Sequence, residues 1–253
     1  MHVACSTLCF GTQPLDEALR CIREMRFAKA DLTLSEDGPH LKPSELASDS
    51  GRITQRLKAA NLPIAAVHAE FKELDSETTR AELRGVCRLA RHLAVPVVST
   101  AAATPETELA HEVARMRGWV RIAEAEGVML TLETHAKTLT ADPAVAAELC
   151  RQVPGLGLTL DPSHYTARPA GPQAYEELFP FVKHVRLRDS GRHPEKFQVP
   201  VGQGELEYGW IISQLDRFRY DRALSVDVRA THFADFPVEP EVRKLKYLLE
   251  SMV

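Results

Sequence analysis

The sequence predicts a closed (β/α)8 TIM barrel that spans residues 1–253 as a single domain, and three observations carry that expectation. Short apolar runs alternate with longer stretches of helical apolar spacing about eight times along the 253 residues. Alternation of this kind implies a parallel sheet, because neighbouring parallel strands must be joined by a crossover that is usually a helix. Three of the runs end on a carboxylate, which would set acids along one rim of such a sheet. The length favours closure into a barrel over an open doubly wound sheet.

The strand candidates in order are His2–Leu8, Ala30–Leu34, Pro63–His68, Pro96–Thr100, Val128–Glu133, Leu156–Asp161, Val182–Arg188 and Ala223–Val228. Between them, Leu15–Arg26, Glu77–Leu93, Glu106–Glu126 and Ala144–Val153 place apolar residues at helical intervals. Helix starts carry capping signals at Asp75-Ser76, Thr104-Pro105-Glu106 and Asp142-Pro143. Tyr208 and Trp210 fit the start of a later helix. The stretch Ser190–Tyr208 breaks the regularity: it is long, polar and glycine-containing. It follows the seventh strand, on the side where barrels carry their active-site loops.

Composition narrows the function classes. With 44% hydrophobic residues the chain can build one large core, and a net charge of -4 gives no pull toward nucleic acid or an anionic membrane. The five cysteines are scattered without a C-x-x-C pair, as expected of reduced thiols in a cytoplasmic protein. No basic region or long apolar stretch precedes Gly11-Thr12-Gln13-Pro14, so no signal peptide is read. No run approaches the roughly 18 consecutive apolar residues of a membrane-spanning helix.

Glu133, Asp161 and Asp227 close the fifth, sixth and eighth runs. A charge at the end of a buried strand is costly unless paired, hydrogen-bonded or metal-bound. In a barrel the C-terminal strand ends form the catalytic mouth. There the sequence puts Thr7, Ser35 with Glu36, His68 with Glu70, Thr100, Glu133 with His135, Asp161 with His164, Arg186 with Asp189, and Asp227 with Arg229. Three converging carboxylates suit a divalent cation.

Ordered motifs extend this reading to a family. Leu132-Glu133-Thr134-His135, Leu160-Asp161-Pro162-Ser163-His164, Val182–Asp189, Gly202–Tyr208 and Tyr220–Asp227 together resemble the xylose-isomerase-like barrels. These include sugar isomerases and epimerases, hydroxypyruvate isomerase, inosose dehydratase and the endonuclease IV branch. The resemblance implies a divalent metal (Mn, Mg, Co or Zn) on four strand-end ligands. Three fall on Glu133, Asp161 and Asp227, the last one methylene shorter than the family's glutamate. The third position of the four, on the seventh strand, falls on Arg186, whose guanidinium has no lone pair and stays charged.

Two arrangements answer that departure. In one, Arg186 takes the metal's place and pairs with Glu133, Asp161 or Asp227. In the other, it swings aside, the metal keeps the three carboxylates, and His164 or His193 supplies a nitrogen. The resemblance further implies substrate contacts from His164, Arg192 and His193, and His68 closes the third strand at the pocket. His135 is read as rim, while His2, His40, His92, His111 and His232 are read as structural or surface.

By the same resemblance, Glu133 and Asp227 move a proton next to a carbonyl, and in the absence of a metal Arg186 contacts the substrate and stabilises the oxyanion that results. The leading function is then a metal-assisted sugar or polyol isomerase, epimerase or related lyase of carbohydrate metabolism. The alternative is a divergent, metal-free sugar-binding barrel in which Arg186 replaces the metal. An endonuclease IV-like nuclease is third, because the strand ends offer too few histidines for clustered metals. The expected partner is a small sugar or polyol, with neither membrane nor nucleic acid; a homo-oligomer is compatible with the sequence.

Overall fold

The computed structural model describes residues 1–230 and 236–253. His232, read above as structural or surface, lies outside the described residues. Among the described residues, eight parallel strands close a barrel in the order β1 to β8. They are β1 (His2–Ser6), β2 (Ala30–Ser35), β3 (Ile64–Glu70), β4 (Val97–Ala101), β5 (Met129–Glu133), β6 (Gly157–Leu160), β7 (Val182–Leu187) and β8 (Ala223–Val226). Pairing of β1 with β8, His2 opposite Ala223 and Cys5 opposite Val226, completes the circle. This is the single (β/α)8 barrel expected from the alternation.

The outer layer is α1 (Leu15–Glu24), α2 (Pro43–Ala59), α3 (Glu77–His92), α4 (Leu109–Ala125), α5 (Pro143–Gln152), the single turn α6 (Ser163–Thr166), α7 (Tyr208–Arg217) and α8 (Val238–Glu250). Two of the expected caps are in place: Ser76 accepts from the Thr79 N–H and Asp142 from the Ala144 N–H. The third differs. Thr104-Pro105-Glu106 is a turn closed by the Thr107 N–H on the Thr104 carbonyl, so α4 begins at Leu109 rather than Glu106. No helix among the described residues is long and apolar enough to cross a membrane. All five cysteines are free.

Strand alternation sorts the side chains. Leu32, Leu34, Leu132, Leu160, Val185, Leu187 and Val226 face outward and join one buried cluster with helix residues such as Ile22, Leu89, Met116 and Leu245. Each such burial is worth ~1.5–3 kcal/mol. Helix packing is close enough that a Cβ on Gly85 would meet the Leu46 carbonyl carbon at 2.9 Å. The alternate positions point into the barrel, and there the sequence is polar. Asp31, Thr33, Thr131, Glu133, Thr159, His184 and Arg186 are all buried, with Thr131 and Thr159 sharing a hydrogen bond of 2.8 Å.

Candidate active site

Two stacked charge layers fill the upper half of the barrel. The deeper one is centred on Arg186, which projects inward from β7 and is fully buried. Its Nε and Nη2 donate to the two carboxylate oxygens of Asp31 at 2.9 and 3.0 Å, a bidentate pair across the barrel. Nη2 also donates to Thr33 Oγ1 at 3.2 Å, and Nη1 reaches Glu133 Oε1 at 3.2 Å. His184 Nε2, two residues earlier on the same face, lies 2.9 Å from Asp31 Oδ2. Burial alone would raise the Asp31 carboxyl, but the charges of Arg186 and His184 outweigh it and hold it below the ordinary range.

The upper layer is centred on Arg188. Its Nη2 bridges Asp161 Oδ2 at 2.7 Å and Asp227 Oδ2 at 2.6 Å. Arg229 closes on the same aspartate, with Nε 3.1 Å from Asp227 Oδ1 and Nη2 2.6 Å from Oδ2. Burial opposes ionisation of Asp227, yet Arg229, Arg188 and Arg186 hold its carboxyl well below the usual range. Asp161 behaves oppositely: burial dominates and raises it despite Arg188. Its other oxygen accepts the Ser163 N–H at 3.0 Å at the start of α6.

Glu133 stands where the layers meet the opening. It is 7% exposed, whereas Asp161 and Asp227 show no exposure. Burial would push its carboxyl up; the charges of His68, Arg186 and Arg229 bring it down to about 2. His68 Nε2 lies 3.7 Å from Glu133 and 3.8 Å from Glu70, too long for hydrogen bonds but within ion-pair reach of both. His164 sits 3.7 Å from Asp161. The Ala136 N–H donates to its Nδ1 at 3.3 Å, so a neutral ring carries its proton on Nε2, facing that carboxylate. Burial, then His135 and Arg188, holds the imidazole well below its ordinary value, and it is neutral at physiological pH.

The wall of the mouth comes from the loop after β7. Phe197 lies against the His164 ring at 4.7 Å and under the Arg188 guanidinium at 5.0 Å. The loop is pinned by buried Asp189, which accepts the Ser190, Gly202 and Gly204 N–H groups. A side chain on Gly204 would overlap that carboxylate. Gln198 exchanges two hydrogen bonds with the Arg229 backbone, tying the loop to the end of β8. Beside Arg229 a cavity of 270 Å³ opens between Thr33, Ser35, His40 and Glu70.

The structure therefore gathers Glu133, Asp161, Asp227, His68, His164 and Arg186 at one mouth, and it does not bring Arg192 or His193 there. Both are exposed on the loop after β7. Arg192 pairs with Glu205 and borders an outer groove with Tyr175 and Trp210. Two expectations about Arg186 need correction. It does pair with Glu133, but its principal partner is Asp31, and Arg188 rather than Arg186 takes Asp161 and Asp227. Nor does it swing aside to leave room for a metal, because the bidentate bond to Asp31 fixes it inward.

The residues present do not fit a divalent cation. Glu133 and both aspartates already hold guanidinium groups, His164 Nδ1 is engaged by a backbone N–H, and His193 is remote. Among the described residues, no group of three or more histidine, cysteine or acidic side chains is arranged to hold a metal ion. Among the described residues, that geometry also leaves no ligand set for the clustered metals of a nuclease.

The xylose isomerase-like TIM barrel family profile matches residues 24–251. No curated protein matches the chain. Among solved structures, a xylose isomerase-like TIM barrel protein from Mycobacterium smegmatis in complex with magnesium is 20% identical, with a TM-score of 0.76 over 99% of this chain and 96% of that one. A D-tagatose 3-epimerase-like protein is 20% identical, with a TM-score of 0.74 over 100% and 97%. An IOLI protein with a bound zinc atom is 17% identical, with a TM-score of 0.75 over 100% and 98%. At these identities the likeness is one of fold.

Proposed function

The chain belongs to the xylose isomerase-like TIM barrel family, and on that premise we propose that its mouth binds a small sugar or polyol carbonyl compound and moves a proton on it, as a sugar isomerase or epimerase does. The observation that carries this reading is Glu133, the partly open carboxylate of the three strand-end acids, set between His68 and Arg186 beneath a mouth rimmed by Arg229. Sugar-processing barrels among the structural neighbours, including the D-tagatose 3-epimerase-like protein, agree with the substrate class.

In this reading Glu133 takes the proton from the carbon next to the substrate carbonyl and returns it to the same or the adjacent carbon. His68, 3.7 Å away, helps to keep Glu133 ionised to receive it. The guanidinium of Arg229, 29% exposed, faces the growing negative charge on the substrate oxygen and stabilises it as a fixed donor. His164 Nε2–H offers a neutral donor beside it. Asp227, fully buried and gripped by Arg188 and Arg229, orients those cations; this shifts its expected share of the proton transfer onto Glu133.

A second reading, the metal-free binding barrel, is favoured by one observation: a carboxylate held at about 2 is a weak base. One experiment separates them. Protein is incubated in deuterated buffer with ketoses, inososes and hydroxypyruvate, and solvent deuterium in the substrate is followed by mass spectrometry. Exchange that Glu133→Gln abolishes supports the enzyme. Sugar binding in calorimetry without exchange supports the binding barrel, and exchange surviving Glu133→Gln refutes the role of Glu133.

A further inference from the structure

We infer that Arg188 is the built-in cation of this barrel mouth, standing where a divalent ion would otherwise join the acids of β6 and β8, so that the protein works without a metal. One atom makes the case. Arg188 Nη2 alone lies within hydrogen-bond distance of both Asp161 Oδ2 and Asp227 Oδ2, carboxylates that follow two different strands. A donor bridging two acids at 2.7 and 2.6 Å occupies the point at which their lone pairs converge.

Three further features set Arg188 apart from an ordinary ion-pair partner. Its side chain is 5% exposed, and the Phe197 ring covers it. Its Nε is buried with no hydrogen-bond partner, a cost that the two charge-assisted bonds at the far end must offset. The neighbouring guanidinium cannot take over, because Arg186 is held by Asp31 and Thr33 one layer below. Four buried carboxylates (Asp31, Glu133, Asp161, Asp227) thus face three guanidiniums (Arg186, Arg188, Arg229), and the cluster is close to neutral. A dication added to it would have to expel Arg188 into the Phe197 wall.

The consequence runs through one side chain. Without Arg188, Asp161 loses its guanidinium partner and Asp227 keeps only that of Arg229, whose side chain is 29% exposed and free to turn toward solvent; with Glu133 and His164 alongside, the oxygen set that this opens suits a hard ion such as Mn²⁺. The arginine therefore keeps a latent metal site closed.

The test reads metal without substrate, so it can fail while the proton-transfer reading stands, or the reverse. Wild-type protein, Arg188→Ala and Arg186→Ala are expressed with added manganese, dialysed, and analysed by elemental mass spectrometry and by calorimetric titration with Mn²⁺. Wild-type protein and Arg186→Ala are expected to hold none. Arg188→Ala is expected to hold about one equivalent and to melt higher with Mn²⁺ than with chelator. If Arg188→Ala is insoluble, Arg188→His, which brings a nitrogen donor to the same place, takes over that arm. Stoichiometric metal in the wild type, or a chelator-induced drop in its melting temperature, would overturn the inference. So would a folded Arg188 variant that takes up no Mn²⁺.

Discussion

Asp31→Asn is the most informative single substitution, because it keeps the shape of the side chain and removes only its charge. In the folded protein Arg186 is fully buried and spends two of its three nitrogens on Asp31. Its remaining carboxylate partner is Glu133, met once at 3.2 Å. Breaking a buried pair by removing one partner leaves an uncompensated charge and costs ~3–5 kcal/mol. For a chain of this size each kcal/mol lowers the melting temperature by ~2–4 °C, so a fall of ~6–20 °C follows. Replacing both partners by groups of similar volume removes the stranded charge. The double variant Asp31→Asn with Arg186→Met should therefore regain at least half of the loss. Urea unfolding followed by tryptophan fluorescence, from Trp119 and Trp210, measures all corners of the cycle. A single variant within ~0.5 kcal/mol of wild type, or a double variant as unstable as the sum of the singles, would refute the idea that Asp31 exists to hold Arg186.

Two more outcomes are expected. Stability should fall as the pH drops below 6.5, because unfolded His164 then binds a proton that the folded ring refuses; the slope is ~1.4 kcal/mol per pH unit for one such group. Asp31, Glu133 and Asp227, all held below their ordinary values, add to the loss below the usual carboxylate range, while the raised Asp161 offsets part of it. A melting profile flat between pH 7 and 5, or one that His164→Gln leaves unchanged, would count against this assignment. Gly204→Ala should loosen the loop after β7 by driving a methyl into Asp189, read as faster hydrogen exchange from Ser190 to Leu206; unchanged exchange there would show that Asp189 does not anchor the loop.

The alternation of the barrel was readable because apolar runs and amphipathic stretches differ in period. The runs at Ala30, Val182 and Ala223 begin strands at those same residues. Ser76 and Asp142 cap helices as their positions suggest, since short polar side chains compete for free N–H groups wherever a helix begins. α2 was not read. It is bent at Asp49, whose backbone is non-helical (φ -147°, ψ 62°), so its apolar residues keep no single phase along the sequence. The early start assigned to α4 has a similarly local cause: Pro105 suits a turn's second position as well as a helix's first.

For the site, single-strand periodicity carried some of the information and barrel geometry the rest. Asp31 escaped notice although it had a signal. It is the lone charge inside Ala30-Asp31-Leu32-Thr33-Leu34, and period two puts it with Thr33 on the face opposite the leucines. Arg186 and Arg188 share a face by the same rule, so both had to enter the barrel. Which acid each would meet depends on the stagger between strands, which no one strand encodes. Arg186 pairs in register with Ser225 and sits one inward position deeper than Arg188. At that depth the carboxylate across the barrel is Asp31, near the start of β2 and in register with Ser6 of β1. Arg188 lies one step further along, level with Asp161 and Asp227, which follow the last residues of β6 and β8. The two-residue offset along β7 thus decides which guanidinium bridges the strand-end acids, and it places Arg188, not Arg186, at their centre.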